Sequence, residues 1–332
     1  MSTDLSLVQA YLQNIHAALA NNQADHAQFL CTCAQEFLSA QRFTSAPSPV
    51  RALWQLHMGM GLDAGRKRRA APNEDCVFGA TSVNSSGEIF GLFVVTDGAG
   101  GQVLGQLAAR LALRTCVEHL FPRLQEGDVR GSFLQAMLIE GVQLANRAVY
   151  LRNEEDVVRG GRMCTTITAM VVVGAEACVA NVGDSRTYHY HPSSGRLTQI
   201  TRDHSHVADL VAANLIKPDE IYTHPKRNEI YRGLGGKLTE EIDIFSGPIR
   251  IDDLFLLCSD GLWEMVTDVR IKEILSRAQC SASAMSEQLV ADALASGGLD
   301  NIAALVVQVR GVDVAAEQTI VAPVYTLVPL PS

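Results

Sequence analysis

The sequence lacks a surplus of positive charge: its formal net charge is −9. A surface that docks on nucleic acid or an anionic membrane needs a cationic footprint to displace counterions, so neither is expected as a partner. The opposing feature is Arg66-Lys67-Arg68-Arg69, a short basic run that reads equally as a solvated turn or as a rim that attracts phosphate. Also missing are a run approaching the roughly 20 apolar residues that cross a bilayer and a basic N-terminal start followed by an apolar stretch. Together these absences predict a cytoplasmic protein. The eight cysteines (31, 33, 76, 116, 164, 178, 258 and 280) lack regular spacing and mostly sit inside apolar runs. They read as reduced, buried thiols rather than a disulfide framework, and Cys31-x-Cys33, with no second pair, reads as helix packing rather than a metal site. No internal repeat or low-complexity tract is present.

What is there is an ordinary globular composition: 332 residues, 47% apolar and 19% charged, enough to bury a sizeable core. The length suits one large two-sheet domain with an accessory segment as well as two ordinary domains. In residues 5 to 40, Val8, Tyr11, Leu12, Ile15 and Leu19 recur at helical spacing, and Leu30, Cys33 and Phe37 repeat the pattern after Asn21-Asn22. Two short amphipathic helices are expected, followed by a linker at Ser45-Ala46-Pro47-Ser48-Pro49. The chain thus divides into a helical extension and linker (1–50), a main domain (55–312) and a tail (313–332) whose role is unreadable.

In the main domain, apolar strand-like runs cover 89–96, 166–173, 178–182, 254–258 and 302–309. Helical spacing covers 104–120, 133–151 and 286–294. Strands grouped with strands and helices kept apart predict an α+β domain, not an alternating parallel sheet. Thr187 to Leu197, with His189 and His191 ahead of Pro192-Ser193-Ser194-Gly195, predicts a hairpin. Its histidines read as strand surface, because no third metal-binding group stands at usable spacing.

Three aspartates share one local grammar, an apolar run on one side and a small or turn residue after the carboxylate: Asp97 in Val94-Val95-Thr96-Asp97-Gly98, Asp260 in Leu257-Cys258-Ser259-Asp260-Gly261, and Asp300 in Asp300-Asn301 before Ile302. A carboxylate at the mouth of a buried strand is rigid yet reachable from water, which suits a hard cation. Any one alone reads as a turn residue. Three together, with Glu74-Asp75 behind another turn, would repel strongly unless metal ions neutralised them. Asp184 in Gly183-Asp184-Ser185-Arg186 is a fourth such place, with a surface pair to Arg186 as its alternative. Gly98-Ala99-Gly100-Gly101 has no following Gly-Lys-Ser/Thr and is therefore a poor nucleotide loop. Its glycines suit close backbone approach, leaving the Gly98 carbonyl free to ligate a metal.

The ordered series Asn73-Glu74-Asp75, Thr96-Asp97-Gly98-x-Gly100-Gly101, Thr165-Thr166, Gly183-Asp184-Ser185-Arg186, Asp203-His204-Ser205, Gly233-Leu234-Gly235-Gly236, Ser259-Asp260-Gly261-Leu262-Trp263 and Asp300-Asn301 resembles the PPM family of metal-dependent serine/threonine protein phosphatases. The match runs from about residue 60 to 310, and it is specific because weak motifs recur in one order. The resemblance implies a β-sandwich of two antiparallel sheets flanked by helices in four α-β-β-α layers. It implies two, and with a weaker third site three, Mn²⁺ or Mg²⁺ ions. Asp97 would bridge two ions, the Gly98 carbonyl would hold one, Asp260 and Asp300 the other, and Asp184 with Asp260 the third. Glu74 and Asp75 would act mainly through bound waters. The implied activity is hydrolysis of phosphoserine and phosphothreonine by a metal-activated bridging water, on phosphoproteins made by a serine/threonine kinase.

The chain departs from the family pattern in places. The phosphate-binding arginine usually stands three residues before the Asn of Asn-Glu-Asp, where this chain has Ala70; Arg69 is the nearest substitute, with Arg68 beside it. Ala99 occupies a position where animal members carry a histidine general acid, so the resemblance implies that the leaving group's proton would come from water at the metal centre. Cys164 and Ala303 replace a common glycine and a common threonine as packing variants. Leu210 to Arg232 resembles the flap beside the family's active site and is the expected place of substrate discrimination. Two further readings belong to the same fold: a catalytically weak relative that binds phosphoproteins or a regulator, and a phosphatase serving a narrow regulatory switch. The N-terminal helices would cap the domain or dock a partner.

Overall fold

A strand covered on both faces carries an unbroken apolar run instead of alternation, and the apolar runs of this sequence become the central strands of two stacked sheets. The computed structural model describes residues 3–4, 6–40, 43–44, 54–100, 103–127, 129–155 and 162–311. The expected linker at 45–49 and the tail from 313 lie outside the described residues.

The first sheet runs β10 (Arg196–Gln199), β9 (Arg186–His191), β12 (Leu254–Cys258), β13 (Ile302–Gly311), β3 (Trp54–Asp63). The second runs β11 (Asp243–Pro248), β8 (Glu176–Val182), β7 (Ile167–Val173), β5 (Ile89–Ala99), β4 (Asp75–Val83), with β6 (Cys164–Thr165) paired to the end of β5. Every pairing within the two sheets is antiparallel. A separate parallel pair joins β1 (Thr3–Asp4) to β2 (Phe43–Thr44). The expected hairpin at 187–197 is β9–β10.

Three apolar layers separate four layers of structure. Val77, Phe93, Met170, Phe255, Leu257 and Leu305 fill the space between the sheets. On the outer face of the second sheet, α3 (Val103–Glu126) and α4 (Gly131–Glu155) bury Leu113, Val117, Leu138 and Val142 against Phe90, Leu92 and Val171. Outside the first sheet, α6 (Asp260–Trp263), α7 (Asp268–Leu275) and α8 (Ala282–Ala295) bury Trp263, Ile274 and Leu289 against Leu256 and Val306. The short helix α5 (His206–Ala212) opens the segment that crosses from β10 to β11. This is the expected α+β sandwich, and all eight cysteines are free within it.

The N-terminal helices share the core of the second sheet. α1 (Ser6–Ala20) and α2 (Ala24–Ala40) turn on each other through Asn22, whose φ of 57° is tolerated by asparagine, and they bury Leu7, Tyr11, Leu30 and Phe37 beside Phe78. They also solve an edge problem, because β4 ends its sheet and leaves a row of unpaired backbone groups. The Asn14 amide donates to the Gly79 carbonyl (2.7 Å) and accepts from the Gly79 N–H (2.8 Å), while His26 Nε2 donates to the Val77 carbonyl (2.8 Å). Among the described residues no helix is long and apolar enough to cross a membrane.

Candidate metal centre

Antiparallel pairing gathers the strand-end carboxylates at one end of the sandwich. Asp75 opens β4 directly opposite Asp97 near the end of β5. β12 and β13 pair up to Cys258 and Ala304, so Asp260, just after β12, meets Asp300, just before β13. Asp184 follows β8 in the turn to β9, next to Thr166, whose N–H donates to the Asp97 carbonyl (2.8 Å). All five aspartates and Glu74 fall in this one region.

Neighbouring side chains hold the carboxylates in place. Ser259 Oγ donates to Asp75 Oδ2 (2.6 Å) and accepts from the Ala303 N–H (2.9 Å), which locks β12 to β13 beneath the site. Asn301 Oδ1 accepts the Glu74 N–H (2.9 Å) and its amide donates to the Ala64 carbonyl (2.9 Å). Gly98 and Gly105 let β5 and α3 touch: a Cβ on Gly98 would lie 2.0 Å from the Gly105 carbonyl oxygen. A Cβ on Gly105 would lie 1.9 Å from Glu74 Oε1 and 2.8 Å from the Gly98 carbonyl oxygen. Those two oxygens therefore converge on one point at the start of α3, so the Gly98 carbonyl faces the acidic group.

The electrostatics demand cations. Burial, then Asp75, Asp260 and Asp184, hold the Asp97 carboxyl well above the usual carboxylate range. Burial also raises Asp75 despite the Ser259 hydrogen bond, raises Asp184 with help from Asp260, and raises Asp260 with help from Glu264. Asp300 is pushed up to about 6 by burial and by Asp260, against the pull of Arg68. Two like charges about 4 Å apart repel by about 4 kcal/mol at an effective dielectric near 20, so the group cannot ionise fully alone. Two buried carboxylate oxygens, Glu74 Oε1 and Asp75 Oδ1, have no hydrogen-bond partner. An all-oxygen, acidic, partly orphaned donor set fits Mn²⁺ or Mg²⁺. Among the described residues no three of these carboxylates place an oxygen within 4.8 Å of one another.

The arginines sort differently from expectation. Arg69 is exposed, whereas Arg68 donates from one terminal nitrogen to Glu74 Oε2 (2.7 Å) and lies with Nε 2.8 Å from Asp300 Oδ1. Arg186 is no surface partner of Asp184: it is buried, bidentate on Asp203 (2.7 to 3.1 Å), and lies 3.6 Å over the Trp263 ring. The Trp263 indole N–H in turn donates to the Asp184 carbonyl (3.0 Å). Sequence reasoning passed over Ser259, Asn301 and this Arg186–Asp203–Trp263 brace as positioning groups. The available signal was their place inside the motifs around Asp260, Asp300 and Asp184.

The segment Leu210 to Arg232 leaves the sandwich as a loop closed at its base, where the His206 N–H donates to the Glu229 carbonyl and the Tyr231 N–H to the His204 carbonyl. Arg227 ties it to Glu264, at the end of α6 just beyond Asp260 (3.1 Å). Leu215 within it is exposed.

Fold and site together define a four-layer sandwich with an acidic, cation-accepting centre at one end. The protein phosphatase 2C family model matches residues 64–296. The chain is 31% identical over 253 residues to the serine/threonine phosphatase stp of Listeria welshimeri, covering 76% of this chain and 96% of that one. It is 34% identical over 252 residues to the serine/threonine protein phosphatase PstP of Mycobacterium tuberculosis, spanning 76% of this chain and 45% of that one. The solved catalytic domain of PstP in complex with 2 manganese ions superimposes with a TM-score of 0.64 at 32% identity, covering 77% of this chain and 98% of that one. The chain belongs to the protein phosphatase 2C family.

Proposed function

We propose that this chain is a cytoplasmic phosphoprotein phosphatase that removes phosphate from serine and threonine residues placed there by a protein kinase. The observation that carries the reading is the buried carboxylate group at the end of the sandwich, with raised pKa values and two orphaned oxygens. Asp97, Asp260, Asp300 and the Gly98 carbonyl would hold two Mn²⁺ or Mg²⁺ ions. Glu74 and Asp75 would support them from one side, and Asp184 with Asp260 would offer a third position. When bound, the ions supply Lewis acidity and lower the pKa of water at the centre to near neutrality.

The chain's own residues then do three things. The aspartates, deprotonated once cations offset their repulsion, hold the centre rigid on strand ends. Arg68, held to Glu74 and Asp300 through one terminal nitrogen and Nε, would offer its other terminal nitrogen to a phosphate dianion. The loop carrying Leu215 and Arg227 shapes the approach for a protein segment and sets which phosphoprotein enters.

The test is phosphate release from a phosphothreonine peptide with Mn²⁺, with Mg²⁺ and with chelator, beside Asp260→Asn. Metal-dependent release is expected, reduced in the variant by at least the roughly tenfold that loss of an outer-shell partner alone costs. Absence of release with either metal across several phosphopeptides would overturn the proposal.

A further inference from the structure

His189 and His191 stand two residues apart on β9 and therefore point to the same face, while Tyr188 and Tyr190 turn the other way into the core under α7 and α8. Tyr190 lies opposite Leu254 in the β9–β12 ladder, which brings Asp253, immediately before β12, level with the two rings. Three ligand atoms result, all within 4.8 Å of one another. His189 Nε2 is 3.0 Å from Asp253 Oδ2, and His191 Nδ1 is 3.1 Å from Asp253 Oδ1.

Hydrogen bonding accounts for only part of this arrangement. Asp253 Oδ1 meets His191, and Oδ2 accepts the Arg250 N–H (2.9 Å). His189 Nε2 is buried 3.0 Å from Oδ2 without the geometry of a regular hydrogen bond, and against its burial the two histidines hold the Asp253 carboxyl below its usual range. The rings cannot simply swing away: His189 stacks on Phe255 at 4.2 Å and 18°, with His191 3.6 Å from it between centroids. Two imidazoles and a carboxylate around one point make the donor set of a borderline divalent ion. The two histidine–carboxylate separations, 3.0 and 3.1 Å, lie a few tenths of an ångström inside the roughly 3.4 Å edge of a tetrahedron with ~2.0–2.2 Å metal–ligand bonds, so a small opening of the cluster admits an ion. The side chains of His189 and Asp253 are 12% and 4% exposed and that of His191 32%, so an ion could enter past His191. A cavity of about 150 Å³ lined by Val179, His189, Ile200, Phe245 and Phe255 lies alongside, with room for water as a fourth ligand.

We propose that His189, His191 and Asp253 form a second, separate metal site that takes one imidazole-preferring ion of the Zn²⁺, Co²⁺ or Ni²⁺ class and clips the β9–β10 hairpin to the start of β12. It is distinct from the carboxylate centre in chemistry, since Mn²⁺ and Mg²⁺ favour oxygen donors. It is distinct in place, since Asp253 and Asp260 bracket β12 and are separated by seven steps of mostly extended chain, on the order of 20 Å.

Titrating Co²⁺ into the full-length protein with excess Mg²⁺ on the carboxylate centre, and following visible absorption, tests the site. Saturation at one Co²⁺ per chain is expected in the unaltered protein and in Asp260→Asn, with the signal displaced by Zn²⁺ and lost in His191→Ala. His191→Gln, at the same partly exposed ring, repeats the test, and circular dichroism verifies that both variants are folded. The same Co²⁺ spectrum and stoichiometry in folded His191 variants, or no Co²⁺ bound beyond the carboxylate centre, would overturn the site.

Discussion

Arg68 and Arg69 are neighbours of identical chemistry, yet the turn that carries them sends Arg68 to Glu74 and Asp300 and leaves Arg69 exposed. Hydrogen bonds to charged groups contribute about 1.5–3 kcal/mol, so Arg68→Ala should lower kcat/KM for a phosphopeptide by about ten- to a hundredfold, mainly through KM. Arg69→Ala should leave it within about twofold, the range of ordinary surface changes. Arg68→Lys should recover only part of the loss, because an ammonium lacks the bidentate fork. Equal effects of the two alanine variants on KM would remove Arg68 from the phosphate site.

At the scale of elements, the helical pair α1–α2 is joined to the sandwich by polar side chains on a strand edge as well as by apolar packing. His26 donates to the Val77 carbonyl through Nε2 while its Nδ1 is buried without a partner, and burial lowers its pKa from 6.5 to about 4. A histidine whose folded pKa is depressed stabilises the fold fully above its unfolded pKa, and that contribution is lost as pH falls from about 6.5 towards 4. At ~1.4 kcal/mol per unit, the ceiling is about 3 kcal/mol. Amide hydrogen exchange in α2 should therefore accelerate between pH 6.5 and 5, and His26→Gln, which keeps a donor without a titrating ring, should flatten that dependence. Exchange in α2 that is independent of pH-driven opening in the unaltered protein, after correction for intrinsic rates, would refute this account of the edge.

For the whole molecule, the burial and mutual repulsion of the carboxylate centre predict a source of instability that cations should remove. Ions at about a hundred times their dissociation constant stabilise by about 2.7 kcal/mol, which for a chain of this size raises Tm by roughly 4 °C. Mn²⁺ should raise Tm by that amount, and chelator should reverse the effect. Asp97→Asn tests the cause, because the Asp97 carboxyl is held well above its usual range by burial and then by Asp75, Asp260 and Asp184. Without metal, this variant should melt higher than the unaltered chain, and it should lose most of the Mn²⁺ response. A metal-free variant that melts lower would mean that Asp97 stabilises the fold by another route.

The central strands and the acidic centre were legible in the sequence because both depend on local order. β5 and β12 are buried on both faces and read as unbroken apolar runs, and Asp97, Asp260 and Asp300 stand directly at strand ends, where a motif of four or five residues records them. β3 was not legible: Gly59 and Gly61 dilute its strand signal. They are there because α8 lies so close that a Cβ on Gly59 would fall 2.2 Å from the Ala282 backbone, a constraint set by a helix more than two hundred residues away in sequence. Likewise only the fold could bring Arg68 rather than Arg69 to Glu74 and Asp300, pair Arg186 with Asp203 instead of Asp184, and carry Asp253 across to His189 and His191. Sequence alone determined which residues could bury or bind, because apolar pattern and side-chain chemistry are local properties. The pairing of strands decided which of them meet, because contacts between distant segments exist only once backbone hydrogen bonds have set the register.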